Sequence, residues 1–189
     1  MLVNETVSYL QMTDRSQLIA GKPAPRPIRV ERQDADSWAI LSRTFIRIGD
    51  QVGKGFQTRR IPPWTETQWR NRLNKPGVVP WLIKVDNEIA GYLELESHGK
   101  GDVEIMVFGL VPEFVGKGFG GHALTLAVET AWNAEAIDEV PVDRIWLHTS
   151  TRDHPAALTN YKNRGFEVFR TEQAQKDIPS LTYGGPSLA

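Results

Sequence analysis

The chain has 189 residues, 40% of them hydrophobic and 24% charged, with a formal net charge of -1 and no cysteine. This length and composition are typical of one globular domain with a sizeable core that needs no disulfides. Near-neutral charge gives no overall attraction to nucleic acid or anionic lipid, so we expect neither nucleic acid nor a membrane as a partner. The lack of cysteine excludes a thiol nucleophile and thiolate metal sites, and fits a reducing compartment.

The N-terminus has neither the basic flank nor the apolar stretch of a signal peptide, and no apolar run reaches membrane-spanning length. We therefore expect a cytoplasmic protein. The histidines, at positions 98, 122, 148 and 154, do not show the spacing of metal ligands, so the sequence predicts no metal site.

Hydrophobic periodicity and turn residues divide the chain into helices and strands. The first half is predicted to begin with a short strand over 7–12, a stiff proline-rich connector over 22–27 and a strand over 28–32. A helix capped by Asp34, Asp36 or Ser37 then ends near Ile48, and a loop over 49–63 leads to a second helix, from a Thr65 capping box to about Leu73. A hairpin of strands over 78–85 and 89–96 follows. The second half is predicted to contain a strand over 103–111, a helix through Trp132, a strand over 144–149, a helix over 154–164 and a strand over 165–171.

This order of elements predicts a mixed α/β sheet with flanking helices. We divide the chain into an N-terminal strand and connector over 1–26, a main domain over 27–171, and a polar, poorly ordered tail over 172–189.

A glycine-rich loop joins the apolar strand over 103–111 to the amphipathic helix that follows it. The loop consists of Gly116, Lys117, Gly118, Phe119, Gly120 and Gly121. Backbone N–H groups at a helix start lack intrahelical acceptors, the helix dipole adds partial positive charge, and glycines let an anion approach the main chain. The loop therefore predicts a phosphate-binding site, against the simpler alternative of a tight turn without a ligand.

Two common phosphate-binding loops fit this segment less well. A dinucleotide-binding loop follows its strand directly and its next strand ends in an acidic residue, whereas here residues 112–115 intervene and the next strand ends in Thr149 and Ser150. A P-loop requires Ser or Thr after its lysine, and this chain has Gly118 there.

Two segments resemble the GNAT superfamily of N-acetyltransferases. Residues 110–120, LVPEFVGKGFG, resemble its acetyl-CoA signature, and residues 156–166, AALTNYKNRGF, are similar to its alanine-rich helix ending in Tyr-x-x-x-Gly-Phe. The order of strands and helices agrees with the family over about residues 27–171. The resemblance implies a mixed, mostly antiparallel sheet with flanking helices and a splayed central strand pair, and makes 27–171 the acetyltransferase domain.

The resemblance implies transfer of an acetyl group from acetyl-CoA to a primary amine by direct attack in a ternary complex, without a metal. The CoA pyrophosphate would lie on the amides of 115–121, with charge from Lys117, and the strand end at Leu110 would polarise the thioester carbonyl. His154 and Asn160 complete the implied cofactor contacts. Val115 and His154 depart from the family pattern, which most often has Arg or Gln at the first position and Asn at the second.

Two residues are the implied catalytic groups. Tyr161 would protonate the departing CoA thiolate, because a phenol stays protonated at neutral pH. Glu104, on the apolar strand face shared by Met106 and Phe108, is the candidate general base. The alternatives are Glu94 or Glu96 on the neighbouring predicted strand, proton removal through a water chain, or a Glu104 that only forms an ion pair with Lys or Arg.

The sequence does not identify the acceptor, which is a small-molecule amine or a protein amine, and relatives commonly form homodimers. The alternative function is a catalytically weak or inactive CoA-binding regulatory module of the same fold. The departures at Val115 and His154 favour that alternative.

Overall fold

A computed structural model describes residues 2–53, 64–135 and 137–177. The predicted loop over 49–63 falls mostly outside these ranges, as does the end of the predicted tail, 178–189. The described strands are β1 (Leu2–Met12), β2 (Ile28–Arg32), β3 (Val78–Val85), β4 (Glu88–Gly99), β5 (Asp102–Leu110), β6 (Arg144–Ser150) and β7 (Glu167–Asp177). The described helices are α1 (Trp38–Gly53), α2 (Glu66–Leu73), α3 (Gly120–Trp132) and α4 (Ala157–Asn163).

The strands form one seven-stranded sheet in the order β2-β3-β4-β5-β6-β1-β7. Neighbouring strands run antiparallel except β5 and β6, which are parallel. The parallel pairing covers only residues 102–104 against residues 144–146, although β5 continues to Leu110 and β6 to Ser150. The predicted mixed sheet with a splayed central pair is therefore confirmed.

Helices cover the two faces of the sheet unequally. Helix α3 packs on the face that carries the larger core, where Leu93, Ile105 and Leu147 meet its Leu124 and Val128. On the opposite face, α1 and α2 pack over β3 and β4 around a smaller cluster consisting of Leu41, Trp69, Leu73, Leu82 and Tyr92. That second face carries the polar residues described below.

The helix starts follow their predicted capping residues. Thr65 and Gln68 form the predicted capping box, in which each side chain hydrogen-bonds the other residue's backbone. Before α1, the Asp34 carboxylate accepts hydrogen bonds from the amides of Asp36 and Ser37 at the start of a short 3₁₀ turn. None of the helices in the described part of the chain is long and apolar enough to cross a membrane.

The first and last strands are longer than predicted. β1 begins at Leu2 rather than residue 7 and lies between β6 and β7, so the N-terminal segment supplies an interior strand of the sheet. β7 pairs with β1 through Asp177, so residues 172–177 belong to the sheet and not to a disordered tail. The hydrophobic pattern does not predict these strand ends, because they contain polar residues such as Asn4 and Gln175. Backbone hydrogen bonds can pair two strands without an apolar sequence.

We predict that Gly165→Ala destabilises the protein. Gly165 has φ 98°, and a Cβ there would overlap the carbonyl oxygen of Gln17, which crosses beneath it. Because both the left-handed backbone and the overlap disfavour a side chain, we expect a loss of more than about 2 kcal/mol in the free energy of unfolding, measured by urea denaturation.

Gly49→Ala is the matched control. Gly49 lies within α1, and a Cβ there would have no atom within 4 Å. Alanine should therefore raise the free energy of unfolding by roughly 0.5–1 kcal/mol. Equal stability of the two variants would contradict this account of Gly165.

Candidate active site

The gap between β5 and β6 exposes main-chain hydrogen-bonding groups. The Val111 amide donates to the Ala90 carbonyl of β4 at 2.8 Å, and Leu110 pairs with Gly91. Because hydrogen-bonding direction alternates along an antiparallel strand, the N–H and C=O of Leu110 point away from β4, into the gap. An extended ligand with amide groups can therefore pair with this edge of β5.

The glycine loop lies between the end of β5 and the start of α3. It follows a 3₁₀ turn over Pro112–Phe114, and Gly116 and Gly118 adopt positive φ angles of 73° and 85°. The Phe119 side chain is buried and packs edge-to-face on Phe114, with ring centroids 5.4 Å apart. These two rings anchor the loop in the core, while Lys117 stays exposed.

The amides of the loop are free of protein acceptors. Within the described residues, none of the amides of 116–122 donates a hydrogen bond, and the first engaged amide of α3 is that of Ala123, which donates to the Phe119 carbonyl at 2.9 Å. The Val115 amide donates to the Pro112 carbonyl at 3.3 Å within the 3₁₀ turn, so it differs from the loop amides after it, and its contact with a phosphate stays a prediction.

The space in front of these amides fits an anion. A Cβ at Gly120 would meet no atom within 4 Å, and Gly120 does not have a positive φ, so neither packing nor backbone conformation requires glycine there. A Cβ at Gly121 would lie 2.8 Å from Nη1 of Arg164, which places a second cation beside the loop in addition to Lys117. Free donors, open space and positive charge together suit a diphosphate.

The two other implied cofactor residues lie on or near α4, which packs against α3 and β6. His154 is exposed, and its Nδ1 accepts a hydrogen bond from the Ala156 amide at 3.2 Å, so it caps the chain locally. Asn160 is half-buried within α4. Their contact with a cofactor stays a prediction.

Tyr161 lies at the end of the buried core, with 9% of its surface exposed, and its ring packs edge-to-face on Phe166. Burial, reinforced by the charge of Asp153, raises the pKa of its phenol well above the ordinary value. The phenol therefore stays protonated over the physiological range, as a hydrogen-bond donor must.

Glu104 lies where the pairing of β5 and β6 ends, opposite Trp146. Only 3% of its surface is exposed. Its Oε2 lies 3.1 Å from Nε2 of His98, and its Oε1 lies 3.2 Å from Nδ1 of His148. Among the described residues the carboxylate thus contacts two histidines and not the Lys or Arg considered as an alternative.

The sequence does not reveal that His98 and His148 contact Glu104. His148 lies two residues after Trp146 on β6, and His98 lies on β4, so both reach Glu104 only through the strand register. Period-two alternation would place His148 on the same face as Trp146, but the alignment of β6 with β5 is not encoded locally.

Two more carboxylates, those of Glu94 and Glu96 on β4, lie buried beside the cluster formed by Glu104, His98 and His148. Arg72 of α2 bridges them, with Nη2 2.6 Å from Glu94 and Nη1 2.7 Å from Glu96, and Lys75 also pairs with Glu96. Burial alone would raise the pKa of Glu96, but hydrogen bonds and charge from Lys75 and Arg72 outweigh it and hold that pKa below its usual value. The closed end of the gap, where β5 and β6 still pair, is therefore lined by an ordered set of paired charges.

A mixed sheet that opens at one parallel strand pair, with a glycine-rich loop between the open strand and a helix, is the architecture expected for GNAT acetyltransferases. The model of the Acetyltransferase (GNAT) family matches residues 46–166. The chain belongs to this family. No curated protein matches the chain in sequence.

Solved structures share the fold at low sequence identity. A GCN5-related N-acetyltransferase from Sphaerobacter thermophilus is 12% identical with a TM-score of 0.58, over 90% of this chain and 51% of that one. One from Kribbella flavida is 14% identical with a TM-score of 0.56, over 92% and 58%. A functionally unknown conserved protein from Staphylococcus epidermidis is 11% identical with a TM-score of 0.55, over 91% and 61%. The chain thus spans little more than half the length of these proteins.

We predict that Lys75→Met makes the protein more sensitive to acid. A carboxylate with a depressed pKa contributes stability that is present above its unfolded pKa and is lost as the pH falls through its folded pKa. Without Lys75 the pKa of Glu96 rises, so the midpoint of acid unfolding should move to higher pH, as followed by circular dichroism from pH 7 to about pH 2.

Lys84→Met is the control for this measurement. Lys84 pairs with Glu31, whose side chain is 41% exposed in contrast to 3% for Glu96. Solvent screens such a pair, so the acid midpoint of this variant should shift less than that of Lys75→Met. An unshifted acid midpoint in Lys75→Met would contradict the role assigned to Lys75.

Proposed function

We propose that this protein is an N-acetyltransferase that transfers the acetyl group of acetyl-CoA to a primary amine in a ternary complex. The observation that carries the proposal is the run of free amides over 116–122 beside the open edge of β5. The CoA pyrophosphate would lie on those amides, with Lys117 and Arg164 adding charge. The amide groups of the pantetheine arm would pair with Leu110.

In the proposed reaction the neutral amine attacks the thioester carbonyl carbon. The new C–N bond forms as the C–S bond breaks, and the electron pair of that bond stays on sulfur. The main-chain donor of Leu110 would stabilise the carbonyl oxygen as it gains charge. The Tyr161 hydroxyl would give its proton to the thiolate, and the proton of the amine would leave through the cluster around Glu104. The chain has no cysteine that could form a thioester intermediate.

The charges around the gap favour a cationic amine as the acceptor. Glu94, Glu96 and Glu104 are buried at the closed end of the gap. Arg72 and Lys75 offset two of these three carboxylates, and the remaining negative charge would attract an approaching ammonium group before it loses its proton. A small-molecule amine and a protein amine both meet this requirement.

A CoA-binding module without catalysis is the second candidate function. It is favoured by two observations: Val115 replaces the usual Arg or Gln, and both carboxylate oxygens of Glu104 are already engaged by histidines. Such a module would bind CoA and leave every amine unacetylated.

We predict that Gly120→Ala weakens CoA binding without destabilising the fold. Its methyl group would occupy the open space in front of the amides, where no protein atom lies within 4 Å. We expect the dissociation constant for CoA, measured by titration calorimetry, to rise by about tenfold or more, because a phosphate loses its close approach. The melting temperature should not fall, since alanine is the better helix former. Unchanged CoA affinity would contradict the placement of the pyrophosphate.

We predict that Tyr161→Phe lowers turnover more than binding. Product formation from acetyl-CoA and a panel of amines would be followed by mass spectrometry and by thiol release. Loss of the hydroxyl should lower kcat by about 10²-fold or more, with the KM for acetyl-CoA little changed. Tight CoA binding by the wild type without acetylation of any amine would support the binding module instead.

A further inference from the structure

The two histidines that contact Glu104 have different surroundings. His98 directs both ring nitrogens at carboxylates, with Nε2 3.1 Å from Glu104 and Nδ1 4.0 Å from Glu96, and its ring stacks on Trp146. His148 directs only Nδ1 at Glu104, and its Nε2 has no partner among the described residues. His98 is thus held within the cluster, while His148 has one nitrogen available to a ligand.

His148 also lies on the open side of the strand pair. The last residue of β6 that pairs with β5 is Trp146, and His148 follows it by two positions, on the same face of the sheet. Its side chain is 35% exposed, in contrast to that of Glu104 at 4%. A molecule entering the gap therefore meets the His148 ring before it meets the carboxylate.

The contact with Glu104 fixes the protonation of the neutral His148 ring. When Glu104 is ionised it only accepts hydrogen bonds, so the neutral ring of His148 then carries its proton on Nδ1 and donates a hydrogen bond to Oε1 across 3.2 Å. The lone pair of Nε2 then points away from Glu104. This is the arrangement in which a buried carboxylate orients an imidazole as a base.

We propose that His148 is the catalytic base of the acetyl transfer and that Glu104 is the positioning residue that holds it. This inference rests on the proposed function. The proton of the attacking amine moves to Nε2 of His148 as the C–N bond forms, and Glu104 stabilises the resulting imidazolium. After product release the imidazolium returns this proton to solvent.

Direct proton transfer to Glu104 is less favourable on the same geometry. Each carboxylate oxygen already contacts a ring nitrogen, and the side chain is almost completely buried. An amine could reach it only after one histidine had moved away. The sequence-based choice of Glu104 as the base lies in the same cluster, but on this inference Glu104 does not contact the substrate.

The test compares variants of the full chain with acetyl-CoA and the best amine of the panel. In His148→Asn the side-chain amide can keep a hydrogen bond to Glu104 but has no basic nitrogen, so we expect kcat to fall by about 10²–10⁴-fold while the KM for acetyl-CoA changes less than about threefold. His98→Asn is the matched substitution on the other oxygen of Glu104, and its kcat should fall less than about tenfold.

Chemical rescue separates a base from a structural contact. Added imidazole should restore acetylated product, measured by mass spectrometry, to His148→Ala but not to Glu104→Ala, because only the first variant leaves a cavity where a free base can face the amine. If His148→Ala does not fold, judged by circular dichroism, the decision rests on the kcat of His148→Asn.

The failures are distinguishable. A wild type that binds CoA and acetylates no amine would contradict the proposed function and this inference with it. An active wild type whose His148→Asn variant keeps kcat within threefold would overturn the inference alone. Failure of imidazole to raise the activity of a folded His148→Ala would do the same.

Discussion

The short parallel contact between β5 and β6 is the feature on which the rest of the site depends. The two strands pair over residues 102–104 and 144–146 and then separate, while each keeps an antiparallel partner on its other side, β4 for β5 and β1 for β6. Each strand is thus held in place without the other. Their facing edges keep unpaired main-chain groups, which a ligand can satisfy in the way an added strand would.

The charged cluster at the closed end of the gap gives this separation a fixed starting point. Glu94, Glu96 and Glu104 would be costly to bury alone, but Arg72, Lys75 and the two histidines pair with them. Removing Arg72 would leave Glu94 without a cationic partner among the described residues, whereas Glu96 and Glu104 each have a second partner, so the cluster is an interlinked set of pairs. The contact with Glu104 holds the His148 imidazole just beyond the last residue of β6 that pairs with β5.

The sequence predicted the features that depend on neighbouring residues. The Thr65 cap, the turn between β3 and β4 and the glycine loop each arise within a few residues of chain, so their residue types reveal them. The features it missed depend on pairing between distant segments. The extension of β1 to Leu2 comes from a ladder with β7, and the contact of His148 with Glu104 comes from the register of β6 against β5.

The connector between β1 and β2 is tied to the glycine loop in the same long-range manner. The Gly21 amide donates to Oγ1 of Thr125 at 2.8 Å, and that hydroxyl donates to the Gly121 carbonyl at 3.0 Å. Gly21 approaches Gly121 so closely that a side chain there would overlap the main chain. The connector therefore supports the first turn of α3 through the Gly121 carbonyl, while the amides at the start of that helix have no acceptor among the described residues. Residues well before the family match at 46–166 thus help to position the loop, and the N-terminal segment is structurally part of the site it supports.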